Sequence, residues 1–210
     1  MREKMVLSML RFFGYNRENS LIHREETIMK KTAILFAEGY EEVEALTVVD
    51  LLRRAKIGCD IVAVKESKEV TGSHGIRVGA DKTLSQLVME EYDGLILPGG
   101  LRGVNNLAAD ERVIDLLRRF AAAGKLTAAI CAGPTVLAQA GLLEGKKACC
   151  YPGMEQELTG AVASTEPVVR DGSVVTSRGL GTAIPFALAL VAYFQGETQA
   201  QALAKAIVFQ

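Results

Sequence analysis

No excess of one charge runs through this chain: 24 Lys and Arg face 25 Asp and Glu across 210 residues, a formal net charge of −1. A protein that grips a phosphate backbone needs surplus cations, so nucleic acid is not expected as a partner. Long hydrophobic runs are missing too. The longest mostly apolar stretch, Ala183–Phe194, is about twelve residues and holds Pro185, whereas a helix crossing a bilayer needs about twenty; no membrane span is expected. The four cysteines (Cys59, Cys131, Cys149 and Cys150) form neither a C-x-x-C pair nor a zinc-ligand spacing, so no metal centre is expected. A domain of this size does not need disulfides, which points to a reducing cytoplasm. Histidine is scarcer still, at two residues.

What is present suits one α/β domain. Hydrophobic residues make up 49% and charged residues 23%, near the globular average and far from disordered or collagen-like compositions. Residues 1–28 stand apart. Arg11 breaks the apolar run of Met5–Leu10, no small-x-small cleavage site follows, and no periodic pattern carries into Lys30, so a secretory signal is not expected. Arg24-Glu25-Glu26 can be encoded as AGG-GAG-GAA, a ribosome-binding sequence shortly before the ATG of Met29. Residues 1–28 are therefore expected to be a disordered extension or to precede the true start, the alternative being an authentic amphipathic arm; 29–210 form the domain.

From Lys31 onward short apolar runs alternate with helical patterns: Thr32–Ala37, Glu41–Ala55, Cys59–Val64, Gly94–Leu97, Val113–Ala123 and Leu126–Ile130. That alternation predicts a parallel sheet with crossover helices. Ala45, Val48, Val49 and Leu52 recur at i, i+3, i+4, i+7 and give the first helix a sheet-facing stripe. Thr71–Gly75, carrying His74, predicts a turn or hairpin beside the main sheet. Lys146–Cys150 is strand-like, Asp171-Gly172 marks a hairpin between Val168–Arg170 and Ser173–Ser177, and helices over Thr182–Phe194 and Thr198–Val208 close the chain.

Ligands of open α/β sheets bind beyond the carboxyl ends of the strands, and three predicted strand ends carry unusual residues. Cys131-Ala-Gly-Pro134 turns directly from strand to helix, as a nucleophile elbow does. A helix amino end facing the sulfur favours the thiolate, and cysteines so placed titrate at roughly 3.5–7.5 instead of about 8.5; the alternative is a buried, inert thiol. Glu38-Gly-Tyr-Glu-Glu-Val-Glu44 brings three carboxylates to a helix start, where helix capping alone could explain them. Glu44, next to the sheet-facing Ala45, is expected inside, protonated and hydrogen-bonded to the sulfur, with Glu41 and Glu42 left in solvent. Pro98-Gly99-Gly100 lets backbone approach a ligand and makes Gly99 and Gly100 candidate oxyanion donors.

Taken together, Ala37–Glu44, Leu97–Gly100, Ala128–Pro134 and Thr176–Thr182 resemble the ThiJ/PfpI family, specifically its DJ-one branch, over about Lys30 to the carboxyl end. The resemblance implies a flavodoxin-like three-layer sandwich with a mostly parallel central sheet, of the class I glutamine amidotransferase type, and usually a homodimer. It matches Cys131 to the family's reactive cysteine, Glu44 to its protonated glutamate, and Gly99, Gly100 and Ala132 to the surrounding backbone donors. Members are described as glyoxalase III enzymes, protein deglycases, redox-responsive chaperones and, more distantly, peptidases.

One departure bears on activity. Where some members have histidine before proline, this chain has Tyr151, and a phenol with pKa near 10 is a poor base at pH 7. His23-Arg24-Glu25 has an H-x-E form but precedes the cysteine and lies in the extension. His74 matches a position near the family's dimer interface, either reaching a partner's site or remaining a solvated turn residue. Arg178 either orients an anion or makes a surface ion pair. Cys149 and Cys150 are expected to pack. The implied activity is cofactor-independent conversion of a small 2-oxoaldehyde such as methylglyoxal by Cys131 and Glu44; the alternative is an oxidant-sensing stress protein or chaperone whose Cys131 becomes a sulfinic acid with little turnover.

Overall fold

The computed structural model describes residues 29–210, so the predicted extension lies outside the described residues. At its centre β1 (Lys31–Phe36) pairs in parallel with β2 (Gly58–Ala63) on one side and, across the sheet, with β6 (Gly94–Leu97) on the other. The pairs β3 (Glu69–Thr71) with β4 (Arg77–Gly79), and β8 (Lys147–Ala148) with β9 (Val162–Ala163), lie outside this sheet. The seven-stranded sheet is completed by β5 (Lys82–Thr83), β7 (Leu126–Ile130), β10 (Val168–Asp171) and β11 (Val174–Ser177), in the order β10-β11-β7-β6-β1-β2-β5. Within this sheet only the β10–β11 pair is antiparallel, joined at the predicted Asp171-Gly172 turn, where Gly172 has φ 62°.

Helices cover both faces, which is why the central strands are continuously apolar instead of alternating with polar residues. On one face lie α1 (Glu42–Arg54), α5 (Ala183–Gln195) and α6 (Glu197–Ala206), packed by Ile34, Phe36, Val48, Leu52, Phe186 and Leu190. On the other lie α2 (Leu101–Ala108), α3 (Glu111–Ala122) and α4 (Pro134–Gln139), packed by Leu35, Leu97, Val104, Leu117, Phe120 and Val136. Successive residues of β1 feed opposite cores, as strand geometry requires. The result is the flavodoxin-like three-layer α/β sandwich. Among the described residues no helix is long and apolar enough to cross a membrane.

Two segments differ from the sequence reading. Leu101–Ala108 is a helix directly after Gly100, whose φ of 87° makes the abrupt turn and hides the helix start behind a turn signature. The predicted strand over Lys146–Cys150 shrinks to Lys147–Ala148, since beyond it Cys149 donates its N–H to the Thr176 hydroxyl at 2.9 Å instead of to a neighbouring strand. The hairpin carrying His74 lies beside the main sheet as expected. The chain leaves β1 toward β2 and returns to β6 on the other side, so strand order reverses at β1/β6. The crevice beyond those strand ends is the natural binding position.

Candidate active site

Cys131 follows β7 immediately and has φ 65°. That left-handed conformation costs a side-chain-bearing residue roughly 1–2 kcal/mol and must be held by its surroundings. Three backbone hydrogen bonds hold it: Cys131 N–H to the Ser177 carbonyl at 3.0 Å, Tyr151 N–H to the Cys131 carbonyl at 2.8 Å, and Gly133 N–H to the Ile130 carbonyl at 2.9 Å. Pro134 then opens α4. Any Cβ at Gly133 would come within 2.9 Å of the Ile130 carbonyl oxygen, so the tight turn needs glycine there.

Glu44 occupies the first turn of α1 and is 1% exposed. Its Oε2 accepts the Gly99 N–H at 2.9 Å, and its carboxyl lies beside the Cys131 thiol, close enough for each to shift the other's titration. Gly99 separates the two: a Cβ there would collide with the Glu44 carboxyl and lie 2.5 Å from Cys131 Cβ. This corrects the expectation for Gly99, whose N–H is committed to Glu44 and is not free to receive an oxyanion. Gly100 and Ala132 line the cavity beside Cys131, and their backbone N–H groups favour the sulfur's anion.

The expected acid thiol is corrected as well. Burial, then the charge and hydrogen bond of Glu44, push the Cys131 thiol up to about 12, outweighing the Ala132 and Gly100 N–H groups that favour its anion. The helix behind it is six residues long, too short for its field to outweigh desolvation. Burial likewise lifts the Glu44 carboxyl to about 7, against its hydrogen bonds with Cys131 and Gly99, and Glu41 adds a like charge. The two groups therefore hold one proton between them over a wide pH range. They titrate as a pair, and the sulfur is anionic only when the proton sits on Glu44.

Above the sulfur lies a cavity of about 560 Å³, reached by Cys131, Glu44, Gly100 and Ala132 from below and bounded by Glu41, Leu101, Tyr151, Met154, Glu157 and Leu180. Tyr151 is thus at the site, 52% exposed. Arg178 is not part of the lining: it lies 3.7 Å from Glu155 and donates to the Thr165 carbonyl at 3.0 Å, the ion-pair role rather than the anion-orienting one. His74 is also outside the lining. Its Nδ1 is 3.0 Å from Glu42 Oε2, and its N–H donates to Glu42 Oε1 at 2.7 Å.

Glu42 itself departs from the reading that left it in solvent. It is 2% exposed, because β3–β4 folds over it and Gly72 leaves no room for a side chain above its carboxylate. Against the cost of burial, hydrogen bonds from His74 and Ser73 hold its carboxyl at about 2, and its charge raises the His74 pKa in return. Glu41, Glu42 and His74 are the one grouping of potential metal-ligating side chains among the described residues, with ligand atoms within 4.8 Å; these contacts already satisfy them. Cys59, Cys149 and Cys150 are buried, as packing predicts.

Sequence reasoning missed the cavity walls. Leu101 and Leu180 each follow a glycine-containing turn at a strand end, and an apolar residue at that position is the available signal. Glu41 and Glu157 carry none beyond their charge.

Comparison with known proteins agrees with this fold. The DJ-1/PfpI family description matches residues 30–193. Protein dj-1beta of Drosophila melanogaster is 37% identical over 85% of this chain and 97% of its own length; its crystal structure superposes with a TM-score of 0.82, covering 87% of this chain and 99% of that one. A Pyrococcus horikoshii protein named as a deglycase is 34% identical over 70% of this chain and 89% of its own. Toxoplasma gondii DJ-1, solved in an oxidized form, is 35% identical with a TM-score of 0.82, covering 86% and 98% of the two chains. The chain spans less than half of two Arabidopsis thaliana relatives, 39% of DJ-1 homolog B and 44% of DJ-1 homolog A, at 39% and 42% identity over 81% of this chain. The chain belongs to the DJ-1/PfpI family.

Proposed function

We propose that the protein is a cysteine-dependent, cofactor-independent enzyme of the glyoxalase III and deglycase type, converting 2-oxoaldehydes such as methylglyoxal to 2-hydroxy acids. The observation that carries this reading is the pairing of Cys131 with a buried Glu44 whose carboxyl is raised to about 7, under a cavity lined by the backbone of Gly100 and Ala132. A homologue named as a deglycase supports the chemistry.

With the proton on Glu44, the Cys131 thiolate adds to the aldehyde carbon, forming a C–S bond and moving the carbonyl electron pair onto oxygen. The Gly100 and Ala132 N–H groups stabilise that oxyanion, and Glu44 then donates its proton to it. The resulting carboxylate removes the proton from the former aldehyde carbon, giving an enediolate with its charge on the neighbouring oxygen; Glu44 returns that proton to the neighbouring carbon and carries the hydroxyl proton of the first carbon to the neighbouring oxygen as the thioester carbonyl forms. Water cleaves the thioester, releasing the 2-hydroxy acid and the thiol. The sum is aldehyde plus water to hydroxy acid, so no external oxidant or cofactor is required. Glu44 performs every proton transfer up to the thioester, which makes a histidine at position 151 dispensable for those steps. Lactate formation from methylglyoxal by wild type, Cys131→Ser and Glu44→Gln tests the reading; wild type making no more lactate than Cys131→Ser ends it.

A second reading rests on exposure: Cys131 is the only one of the four thiols that is not fully buried. In a redox-responsive protein Cys131 would gain oxygen first, with Glu44 donating to the sulfinate. Intact-mass spectra after peroxide decide this, and simultaneous oxidation of Cys149 or Cys150 counts against it.

A further inference from the structure

The chemistry at Cys131 asks only for an aldehyde carbon at the sulfur, yet the space above is much larger than methylglyoxal fills. A cavity of about 560 Å³ falls within the roughly 300–1,000 Å³ of sites that take sizeable organic ligands. Methylglyoxal displaces about three waters, each worth ~30 Å³.

The walls say what else would fit. Leu101 comes from the start of α2, Tyr151 from the segment after β8 and Leu180 from the segment after β11, and these side chains are 63%, 52% and 52% exposed. Single exposed apolar residues need no explanation, but three from separate segments meeting around one nucleophile form an apolar rim over a polar floor. The charge is equally one-sided. Glu41, Glu44 and Glu157 line the cavity, and no Lys, Arg or His does. The neighbouring cations are already engaged, Arg178 beside Glu155 and His74 beside Glu41 and Glu42 on the hairpin side.

Building on the 2-oxoaldehyde reading, we propose that this cavity selects uncharged carbonyl substrates carrying an apolar substituent of isobutyl to phenyl size. The substituent is seated against Leu101, Tyr151 and Leu180, while Glu41 and Glu157 reject carboxylate-bearing carbonyls. Removing about 60 Å² of substituent surface from water corresponds to about tenfold in kcat/KM, and each carboxylate whose charge is not fully offset, Glu157 and a Glu41 that shares the single His74 with Glu42, to about threefold against an anion. Leu101 and Leu180 are thus specificity-determining residues.

Two assays on the full chain test this. In the first, kcat/KM for isobutylglyoxal is divided by that for methylglyoxal, whose aldehyde is electronically similar. The ratio is expected near ten in wild type and several-fold lower in Leu101→Ser and Leu180→Ser; a wild-type ratio at or below one, or variants that lower both substrates equally, overturns the proposal. The second needs no turnover. Rates of Cys131 modification by iodoacetamide, N-benzyl iodoacetamide and iodoacetate are each divided by the rate with free cysteine. Relative to iodoacetamide, the benzyl reagent is expected to gain several-fold and iodoacetate to lose about tenfold, with Glu41→Gln and Glu157→Gln each restoring iodoacetate about threefold. Taking ratios to iodoacetamide cancels any effect of Glu41→Gln on the Glu44–Cys131 proton. If neither aldehyde turns over while these ratios hold, the catalytic reading fails and the cavity's selectivity stands. The same normalised rate for all three reagents overturns the selectivity, whatever the lactate assay returns.

Discussion

Replacing Glu44 by Gln removes the acid that shares a proton with Cys131 and keeps an acceptor for the Gly99 N–H. In wild type, one proton leaves the pair around the raised Glu44 value of about 7, and the second leaves near 12. Between those limits the pair is a monoanion whose charge lies on sulfur whenever the proton lies on the carboxyl. Thiolate reactivity should therefore rise through pH 7, level off, and rise again only in strong base. In Glu44→Gln the plateau disappears. The loss of the Glu44 charge lets the thiol fall back from about 12, but burial keeps it at or above the ordinary value of about 8.5. At pH 7 a thiol titrating at about 8.5 is only a few per cent thiolate, whereas about half of the wild-type pairs are monoanionic. Between pH 7 and 8 the wild-type rate should therefore rise less than twofold and the variant's nearly tenfold, whichever tautomer of the monoanion is the more populated.

The measurement is the pseudo-first-order rate of Cys131 alkylation by iodoacetamide from pH 5 to 10, followed by intact mass. Two results would refute the reasoning. A wild-type profile without an inflection near 7, climbing only in strong base, would mean that the proton stays on sulfur and Glu44 keeps the charge. An inflection near 7 that survives in Glu44→Gln would mean that some other group supplies it.

The two buried carboxyls at the start of α1, Glu44 and Glu42, make stability predictions of opposite signs. Glu44 has its pKa raised to about 7 by folding, so the folded state binds more protons than the unfolded chain between about 4.5 and 7 and loses stability as pH rises through that window. Glu44→Gln should abolish that loss and be the more stable protein at pH 8, by up to about 3 kcal/mol. Glu42 is held at about 2, so its contribution is present above about 4.5 and is lost as pH falls toward 2; Glu42→Ala should cost about 1–3 kcal/mol at pH 7 and flatten the acid limb. Urea unfolding at a series of pH values reads both, and parallel curves for the two variants would contradict them. Gly99→Ala should drive Glu44 away from Cys131, costing about 1–3 kcal/mol and erasing the alkylation inflection near 7; a folded variant that keeps the inflection would show that Gly99 does not separate the pair. Cys131→Gly should be more stable than Cys131→Ala by about 1 kcal/mol, because φ is 65° there and only glycine adopts it without strain. Thermal unfolding in which the alanine variant matches or exceeds the glycine one would be incompatible with the elbow.

How far the sequence carries depends on how locally each feature is specified. The sheet, its flanking helices and the β10–β11 hairpin follow from periodicity and turn chemistry over a few residues, and the structure repeats them. The elbow at Cys131 was legible because strand, cysteine, two small residues and proline adjoin. Glu44 was legible from its place beside a sheet-facing alanine. Glu42 was not, because what buries it is a hairpin about thirty residues away in sequence that folds over the helix start, and nothing local to Glu42 announces that cover. Gly99 was placed correctly but given the wrong partner: a glycine before a helix always offers an N–H, and only the fold decides whether a carboxylate or a substrate receives it. The thiol's titration was misjudged for a similar reason. A helix amino end is visible in sequence, whereas burial, which outweighs it here, is not.

The helix start between 41 and 44 joins these points. Successive helical residues turn by about 100°, so three carboxylates in four positions cannot share one environment. Glu41 faces the cavity, Glu42 lies under the hairpin and Glu44 lies against the sulfur. A single field from the helix would lower all three pKa values together. Instead Glu42 is held at about 2 and Glu44 raised to about 7, two residues apart. The difference is donor supply: Glu42 receives the Ser73 hydroxyl, the His74 N–H and the His74 ring, while Glu44 receives one backbone N–H and lies beside the thiol. Adding one donor beside Glu44 would hold its charge, send the proton to sulfur and leave a folded protein without a nucleophile. The proposed activity therefore depends on Glu44 remaining the less satisfied of the two buried carboxyls.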